Sequence, residues 1–157
     1  MDKKFYLTKE GLEKLKKEYQ TLKNLRLAIL KGESPKILHS DDITNEYLAF
    51  KEDMNLLESR LFELEYVLKN FILIRKPPKE QQDIVNIGAT VTLEDSEGAI
   101  NEFMIVDTLE ANPSEGKISI ESPVGKALLG KRVGEEIVIT SPINVKYKIK
   151  KIRYEIS

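Results

Sequence analysis

The sequence contains no cysteine, no tryptophan and no long run of apolar residues. Without cysteine there can be no disulfide framework, no thiolate nucleophile and no cysteine-bound zinc. A membrane-spanning helix needs about 18 or more consecutive apolar residues, and the residues after Met1 lack the apolar core of a signal peptide. We therefore expect a protein of a reducing, aqueous compartment, with the cytoplasm as the simplest choice and no membrane partner.

An excess of charge of either sign is also missing. The chain has 25 Lys and Arg against 26 Asp and Glu, for a net charge of −1. Proteins that bind nucleic acid over a broad surface carry clustered positive charge. Any electrostatic function of this chain must therefore be local.

The N-terminal half contains two segments in which apolar residues recur at alternating spacings of three and four, the pattern of a coiled-coil seam. In the first segment Arg26 takes one apolar position. The two sets of seam residues are Leu12, Leu15, Tyr19, Leu22, Arg26 and Ile29, and then Tyr47, Phe50, Met54, Leu57, Leu61, Leu64, Leu68 and Phe71.

The two seams match if the segments fold back on each other antiparallel. Leu12 then faces Phe71, Ile29 faces Met54, and the midpoint falls between two adjacent carboxylates, Asp41 and Asp42. Arms of about 30 residues at ~1.5 Å each place this tip on the order of 45 Å from the base. The sequence thus predicts a long helical hairpin with an acidic tip.

Local signals set the bounds of this hairpin. Thr8 is a typical N-cap for a first helix over about 9–31, and the second helix is expected from near Ile43 or Asn45 to between 70 and 73. Pro77 and Pro78 cannot continue a helix and indicate a linker. We assign 1–74 to the hairpin, 75–82 to the linker and 83–157 to a second domain.

The second half changes to the period-two alternation of strands. Ser122, Pro123 and Gly130 fit the cap, first residue and stop of a short helix. We expect an α+β domain with a mainly antiparallel sheet, with strands near 85–87, 89–93, 102–106, 117–121, 135–140 and 146–152.

Several short motifs resemble those of the bacterial transcript-cleavage elongation factors of the GreA/GreB family. They are Leu-Thr-Lys-Glu-Gly at 7–11, Gly-Ala-Thr-Val-Thr-Leu-Glu at 88–94, Gly-Lys-Ile-Ser at 116–119, Ser-Pro at 122–123 and Ala-Leu-Leu-Gly-Lys at 127–131. The likeness covers nearly the whole chain and the order of its parts. Each motif alone is weak, and the combination is specific.

The resemblance implies a C-terminal domain with a fold similar to FKBP, and a monomer that binds bacterial RNA polymerase. The coiled coil would enter the secondary channel, where tip carboxylates Asp41, Asp42 and Glu46 act on the backtracked RNA 3′ end. Asp41 and Asp42 would share a Mg²⁺ ion with the polymerase, whereas the isolated factor binds no cofactor and is not itself an enzyme. The implied tip contacts to RNA or polymerase are Lys36, Tyr47 and Lys51, and the implied docking residues are Ser122, Pro123, Lys126 and Lys131.

The tip departs from the family pattern. The family pattern resembles Asp-Leu-Ser-Glu-Asn-Ala-Glu-Tyr, but here Thr44 replaces the second acid and one residue is missing before Glu46. Asp42 or Glu46 could supply the lost charge, yet a regulator that blocks the channel without stimulating cleavage remains open. A plainer alternative is that Asp41 and Asp42 only cap the second helix.

Two functions of other classes are also open. An FKBP-like fold suggests a prolyl isomerase, but the C-terminal half has only Phe103, Tyr147 and Tyr154 from which to build an aromatic proline pocket. A coiled-coil chaperone would not need Asp41 and Asp42. Fold alone does not decide between these functions.

Overall fold

The computed structural model describes residues 3–32, 45–140 and 143–156. These residues form two compact units. The hairpin unit covers Leu12–Asn70, and the sheet unit combines Lys3–Gly11 with Phe71–Ser157. Residues 3–11 and 71–74, which the sequence analysis assigned to the hairpin, thus belong to the sheet unit.

Two long helices make up the hairpin unit. Helix α1 covers Lys9–Leu30 and helix α2 covers Asn45–Lys69. Both agree with the helices expected from the heptad spacing, and α1 begins directly after Thr8. The tip segment of the predicted hairpin lies outside the described residues.

Ion pairs between the helices establish their antiparallel direction. Glu18 Oε1 lies 2.7 Å from Arg60 Nε, and further along α1 the Arg26 Nη1 atom lies 3.3 Å from Glu58 Oε2. The partner therefore moves back along α2 as α1 advances. The hydrogen bond from Arg60 lowers the pKa of the Glu18 carboxyl, while that same bond raises the pKa of Arg60.

The predicted seam is buried most fully on α2. Leu57, Leu61 and Leu64 are buried, whereas the seam residues of α1 are half-buried. Arg26, the charged residue in the seam, pairs with Glu58 at the edge of the helix interface. This pairing explains how the seam accommodates a guanidinium among apolar residues.

Phe71 was wrongly included in the seam. The helix ends at Lys69, and Phe71–Leu73 form strand β2, which pairs in parallel with β1, Phe5–Leu7. Phe71 therefore pairs with Phe5. Strand β1 was not predicted, because three residues show too little alternation to identify a strand.

The sheet unit is built on a five-stranded sheet in the order β5-β4-β3-β7-β6. Only β4 and β5 are parallel, which confirms the mainly antiparallel α+β prediction. No strand is found at 85–87, and a single bridge just before this segment joins Ile84 to Arg132. The strands are β3 (Thr90–Asp95), β4 (Ile100–Val106), β5 (Lys117–Ser119), β6 (Glu136–Ile139) and β7 (Val145–Arg153).

One face of this sheet carries the core. Val91, Leu93, Ile105 and Ile149 are fully buried and pack with Leu128 of helix α3, Pro123–Leu128. Short 3-10 helices occur at Lys79–Gln81, Thr108–Glu110 and Pro113–Glu115. Within the described ranges, neither long helix is apolar enough over its length to cross a membrane.

Candidate functional site

The predicted tip site is only partly within the structure. Lys36, Asp41 and Asp42 lie outside the described residues, and Glu46 and Tyr47 are in the first turn of α2 without described side chains. Lys51 is exposed one turn further along α2. The roles of all these residues remain predictions.

The predicted docking residues surround helix α3. Ser122 Oγ accepts a hydrogen bond from Gly125 N at 3.0 Å and donates one to Ser119 O at 2.6 Å. Pro123 occupies the first helical position, as expected. The Ser122 hydroxyl therefore caps the helix with both of its bonds satisfied within the fold.

An open cleft separates α3 from strand β6. It has a volume of about 370 Å³, and Lys126, on α3, and Lys131 both line it. Lys126 is exposed and Lys131 is half-buried. Two of the four predicted docking residues thus line one cleft, together with Glu136 and apolar residues that include Val138.

A second cleft, of about 430 Å³, lies on the outer face of the sheet. Lys146 Nζ is 3.0 Å from Glu136 Oε2, and Lys150 Nζ is 3.2 Å from Glu94 Oε2. These pairs neutralise most of the lysine charge. This face is therefore a poor candidate for binding an anion.

Among residues 3–32, 45–140 and 143–156, no three His, Asp or Glu side chains come together in an arrangement that holds a metal ion.

Two residues outside every predicted site make contacts that sequence reasoning missed. Glu110 accepts hydrogen bonds from Thr8 N and Thr8 Oγ1, and Asp107 accepts one from Tyr6 N. Thr8 was identified as a helix cap, and its Oγ1 does accept from Gly11 N at 3.0 Å. Its carboxylate partner lies about a hundred residues away in the sequence, so no local pattern indicates it.

Comparison with known proteins places both halves of the chain in one family. Residues 5–72 match the family model described as the N-terminal part of a transcription elongation factor. Residues 80–154 match the model described as the GreA/GreB transcription elongation factor C-terminus. The two matches follow the order of hairpin and sheet domain.

Individual relatives agree with these matches. The chain is 43% identical to "Transcription elongation factor GreA" of Thermomicrobium roseum over 138 residues, covering 87% of this chain and 88% of the relative. It is 40% identical to the protein of the same name from Acetivibrio thermocellus over 156 residues, covering 97% and 98%. A solved structure of GreA factor homolog 1 from Thermus thermophilus is similar over 96% of this chain and 99% of that one, with 27% identity and a TM-score of 0.43.

A helical hairpin joined to a small α+β domain, matched over both parts by these models, defines a transcription elongation factor. The chain belongs to the GreA/GreB family.

Proposed function

We propose that this chain binds RNA polymerase, inserts its helical hairpin into the secondary channel and stimulates cleavage of backtracked RNA. The observation that carries the proposal is the family match over both halves of the chain. The antiparallel direction of α1 and α2, shown by the Glu18–Arg60 and Arg26–Glu58 ion pairs, supports it, because the hairpin predicted from the sequence requires this direction. RNA polymerase and the RNA 3′ end are the partners in this proposal.

The chemistry assigned to the tip follows from its donor atoms. Mg²⁺ prefers hard oxygen ligands in octahedral geometry, and carboxylates of Asp41, Asp42 and Glu46 are of this kind. Two or three carboxylates would leave other positions on the ion for water, for polymerase side chains and for RNA oxygens. A metal ion held in this way would supply activation of the attacking water and stabilisation of the leaving oxygen, and the part of Asp41, Asp42 and Glu46 would be to provide carboxylate oxygens to it.

In this proposal the chain is a cofactor of the polymerase rather than an enzyme. It contributes carboxylate ligands to an active site that the polymerase already has. In this proposal Lys51, which is exposed on α2, and Lys36 bind RNA phosphates, and Tyr47 stacks on an unpaired base.

A second candidate function is supported by the tip sequence. Thr44 stands where the family has an acid, and one residue is missing before Glu46. A displacement of about 1 Å can cost on the order of a hundredfold in rate. The alternative is therefore a regulator that enters the channel and inhibits or modulates the polymerase without stimulating cleavage.

A stalled, backtracked elongation complex tests the tip proposal. We expect the protein to release 3′ RNA fragments, and we expect Asp41→Asn combined with Asp42→Asn to slow their release by at least about tenfold, since the neutral amides bind Mg²⁺ less strongly. Asparagine keeps the size of each side chain. Polymerase binding, measured by competition with labelled wild-type protein, should change less than about twofold.

The matched control is Glu13→Gln, which removes one exposed carboxylate from the same hairpin far from the tip. Fragment release that persists unchanged in the double variant would contradict the role of the two aspartates. Binding without fragments in the wild type would favour the blocking regulator. Failure to bind polymerase at all would overturn both.

The docking surface gives a separate prediction. Lys126→Glu should weaken polymerase binding by about tenfold and mainly through slower association, because it reverses an exposed charge at the rim of the α3 cleft. Surface plasmon resonance with immobilised polymerase separates association from dissociation. Lys79→Glu, an exposed lysine on another part of the sheet unit, should bind like the wild type, and equal losses in both variants would point to a general charge effect.

A further inference from the structure

Two carboxylates of the sheet unit hold the backbone of strand β1. Asp107 Oδ2 accepts from Tyr6 N at 3.1 Å, and Glu110 Oε2 accepts from Thr8 N at 2.8 Å. We call Asp107 and Glu110 the carboxylate clamp. The opposite edge of β1 pairs with β2, and Leu7 O accepts from Ile74 N, so the clamp satisfies the amides that β2 does not reach.

The clamp extends to the beginning of helix α1. Thr8 Oγ1 donates to Glu110 Oε1 at 2.6 Å and accepts from Gly11 N at 3.0 Å. Thr8 is 4% exposed, so its bond from Gly11 N is buried, and its two bonds to Glu110 are partly buried. A hydrogen bond to a charged carboxylate is stronger than one between neutral groups, and negative charge at this end complements the helix dipole.

The helix sequence makes room for this carboxylate. A Cβ atom at Gly11 would collide with the Glu110 carboxyl group. The glycine in the first turn is therefore a condition for the contact, although glycine is a poor helix former. The contact between the first turn and the clamp therefore depends on both Gly11 and Glu110.

Helix α1 extends without a break from this contact. It is one continuous helix of 22 residues from Lys9 to Leu30, and at ~1.5 Å per residue it is about 33 Å long. A tilt of about 3° at its first turn moves its far end by roughly 2 Å on that length. The accuracy with which the distal end is placed depends on how firmly the first turn is held.

We propose that Glu110 is a positioning residue for the hairpin tip, acting through Thr8 on the first turn of α1. This inference rests on the proposed function for its consequence in RNA cleavage. Its structural content, that Glu110 restricts the direction of α1, can be measured without polymerase. Glu110 itself touches neither RNA nor metal in this proposal.

Paired spin labels measure the direction of the helix. The chain has no cysteine, so Leu27→Cys, on exposed α1, and Glu97→Cys, in the exposed turn of the sheet unit, give two unique labelling sites. We expect Glu110→Gln to widen the distance distribution measured by double electron–electron resonance by at least about half, because the amide is uncharged and has one acceptor oxygen, whereas the carboxylate accepts from both Thr8 N and Thr8 Oγ1. Thr8→Val should widen it similarly, whereas Thr8→Ser, which keeps the hydroxyl, should restore the wild-type width.

The matched control is Glu115→Gln, an exposed carboxylate in the neighbouring 3-10 helix. It should leave the distribution unchanged. An unchanged width in Glu110→Gln would overturn the proposal whether or not the protein stimulates cleavage. If the glutamine variant folds poorly, as judged by circular dichroism, Thr8→Val against Thr8→Ser provides the same comparison on the other side of the contact.

The cleavage assay then tests the consequence. At saturating factor, Glu110→Gln should reduce the maximal rate of fragment release about fivefold, while the concentration for half-maximal effect changes less than twofold. A wider distribution with an unchanged maximal rate would refute the link to the tip. A wild type that stimulates no cleavage would refute the proposed function, and the label measurement would still decide whether Glu110 positions α1.

Discussion

Gly125→Ala is expected to destabilise the sheet unit by about 2–3 kcal/mol, more than a single methyl group normally costs in a helix. A Cβ atom at this position would collide with Ser119 O and lie 3.0 Å from Ile120 Cα. Both are backbone atoms, so no side-chain rotation relieves the contact. The better helix preference of alanine, about 1 kcal/mol, offsets only part of the strain.

The collision would also disturb the cap of α3. Gly125 N donates to Ser122 Oγ, and that hydroxyl donates to the same Ser119 carbonyl that the new methyl group would strike. Pushing α3 away from β5 therefore loosens two hydrogen bonds as well as the packing. Since Lys126 lies on the same helix, polymerase binding should weaken together with stability.

Thermal unfolding followed by circular dichroism checks this expectation, with a decrease in Tm of roughly 10–20 °C for a unit of this size. Lys126→Ala is the neighbouring control and should stay within about 0.5 kcal/mol of the wild type because its side chain is exposed. If Gly125→Ala unfolds at the wild-type temperature, the close approach of α3 to Ser119 is not a constraint on this position.

Most of the helical hairpin was accessible from sequence because its signals are local and repeated. The three-and-four spacing depends only on the apolar residues of successive turns lying on one face of a helix. The two helices begin and end close to where this spacing and Thr8 indicated. Phe71 is the residue at which the spacing and the helix part. It continued the spacing after the helix had ended at Lys69, and it belongs to β2.

The contacts between distant segments could not be deduced in this way. The parallel pairing of Phe5 with Phe71 joins residues from the two ends of the hairpin, and Glu110 reaches Thr8 across most of the chain. Neither short strand has a pattern of its own, and a glutamate in a 3-10 turn looks like any other surface residue. Their partners are selected by the folded sheet unit.

The candidate site likewise has a part that local sequence patterns predict and a part that only the folded structure shows. The acidic tip, inferred from the centre of the seam pattern and from likeness to the family, stays a prediction. The cap of α3, predicted from Ser122, Pro123 and Gly130, is confirmed. The structure adds that Lys126 and Lys131 share one cleft, a proximity that required the placement of β6 beside α3. Reversing the charge of Lys126 therefore tests whether this cleft contributes to polymerase binding.

Tyr154→Phe is expected to lower the free energy of unfolding by about 2–3 kcal/mol, because it removes one buried hydroxyl that forms hydrogen bonds with two backbone groups. Tyr154 is 5% exposed, its hydroxyl donates to Ile84 O at 2.5 Å, and it accepts from Asn86 N at 2.9 Å. Phenylalanine fills the same space but leaves both backbone groups without this partner, at about 1–1.5 kcal/mol each, the lower part of the usual range because both bonds are only partly buried. Urea denaturation followed by circular dichroism measures the change in the free energy of unfolding.

The dependence of this effect on pH distinguishes the hydroxyl from simple packing. Burial raises the pKa of Tyr154 above its ordinary value, against a smaller opposing effect of the hydrogen bond from Asn86. A raised folded-state pKa means that the stabilisation is complete below the unfolded pKa of about 10 and is lost as pH rises through the folded pKa. The difference between wild type and Tyr154→Phe should therefore stay constant up to about pH 10 and shrink above it.

Tyr147→Phe provides the matched comparison within the same sheet unit. Tyr147 is half-buried on β7, and among the described residues no hydrogen bond to its hydroxyl is found. Loss of the Tyr147 hydroxyl should lower the free energy of unfolding by less than about 0.5 kcal/mol. Equal effects of the two substitutions would show that the Tyr154 hydroxyl does not hold the segment around Ile84 and Asn86, and that this segment is fixed by Val85 in the core and by its backbone bonds to Gly130 and Lys131.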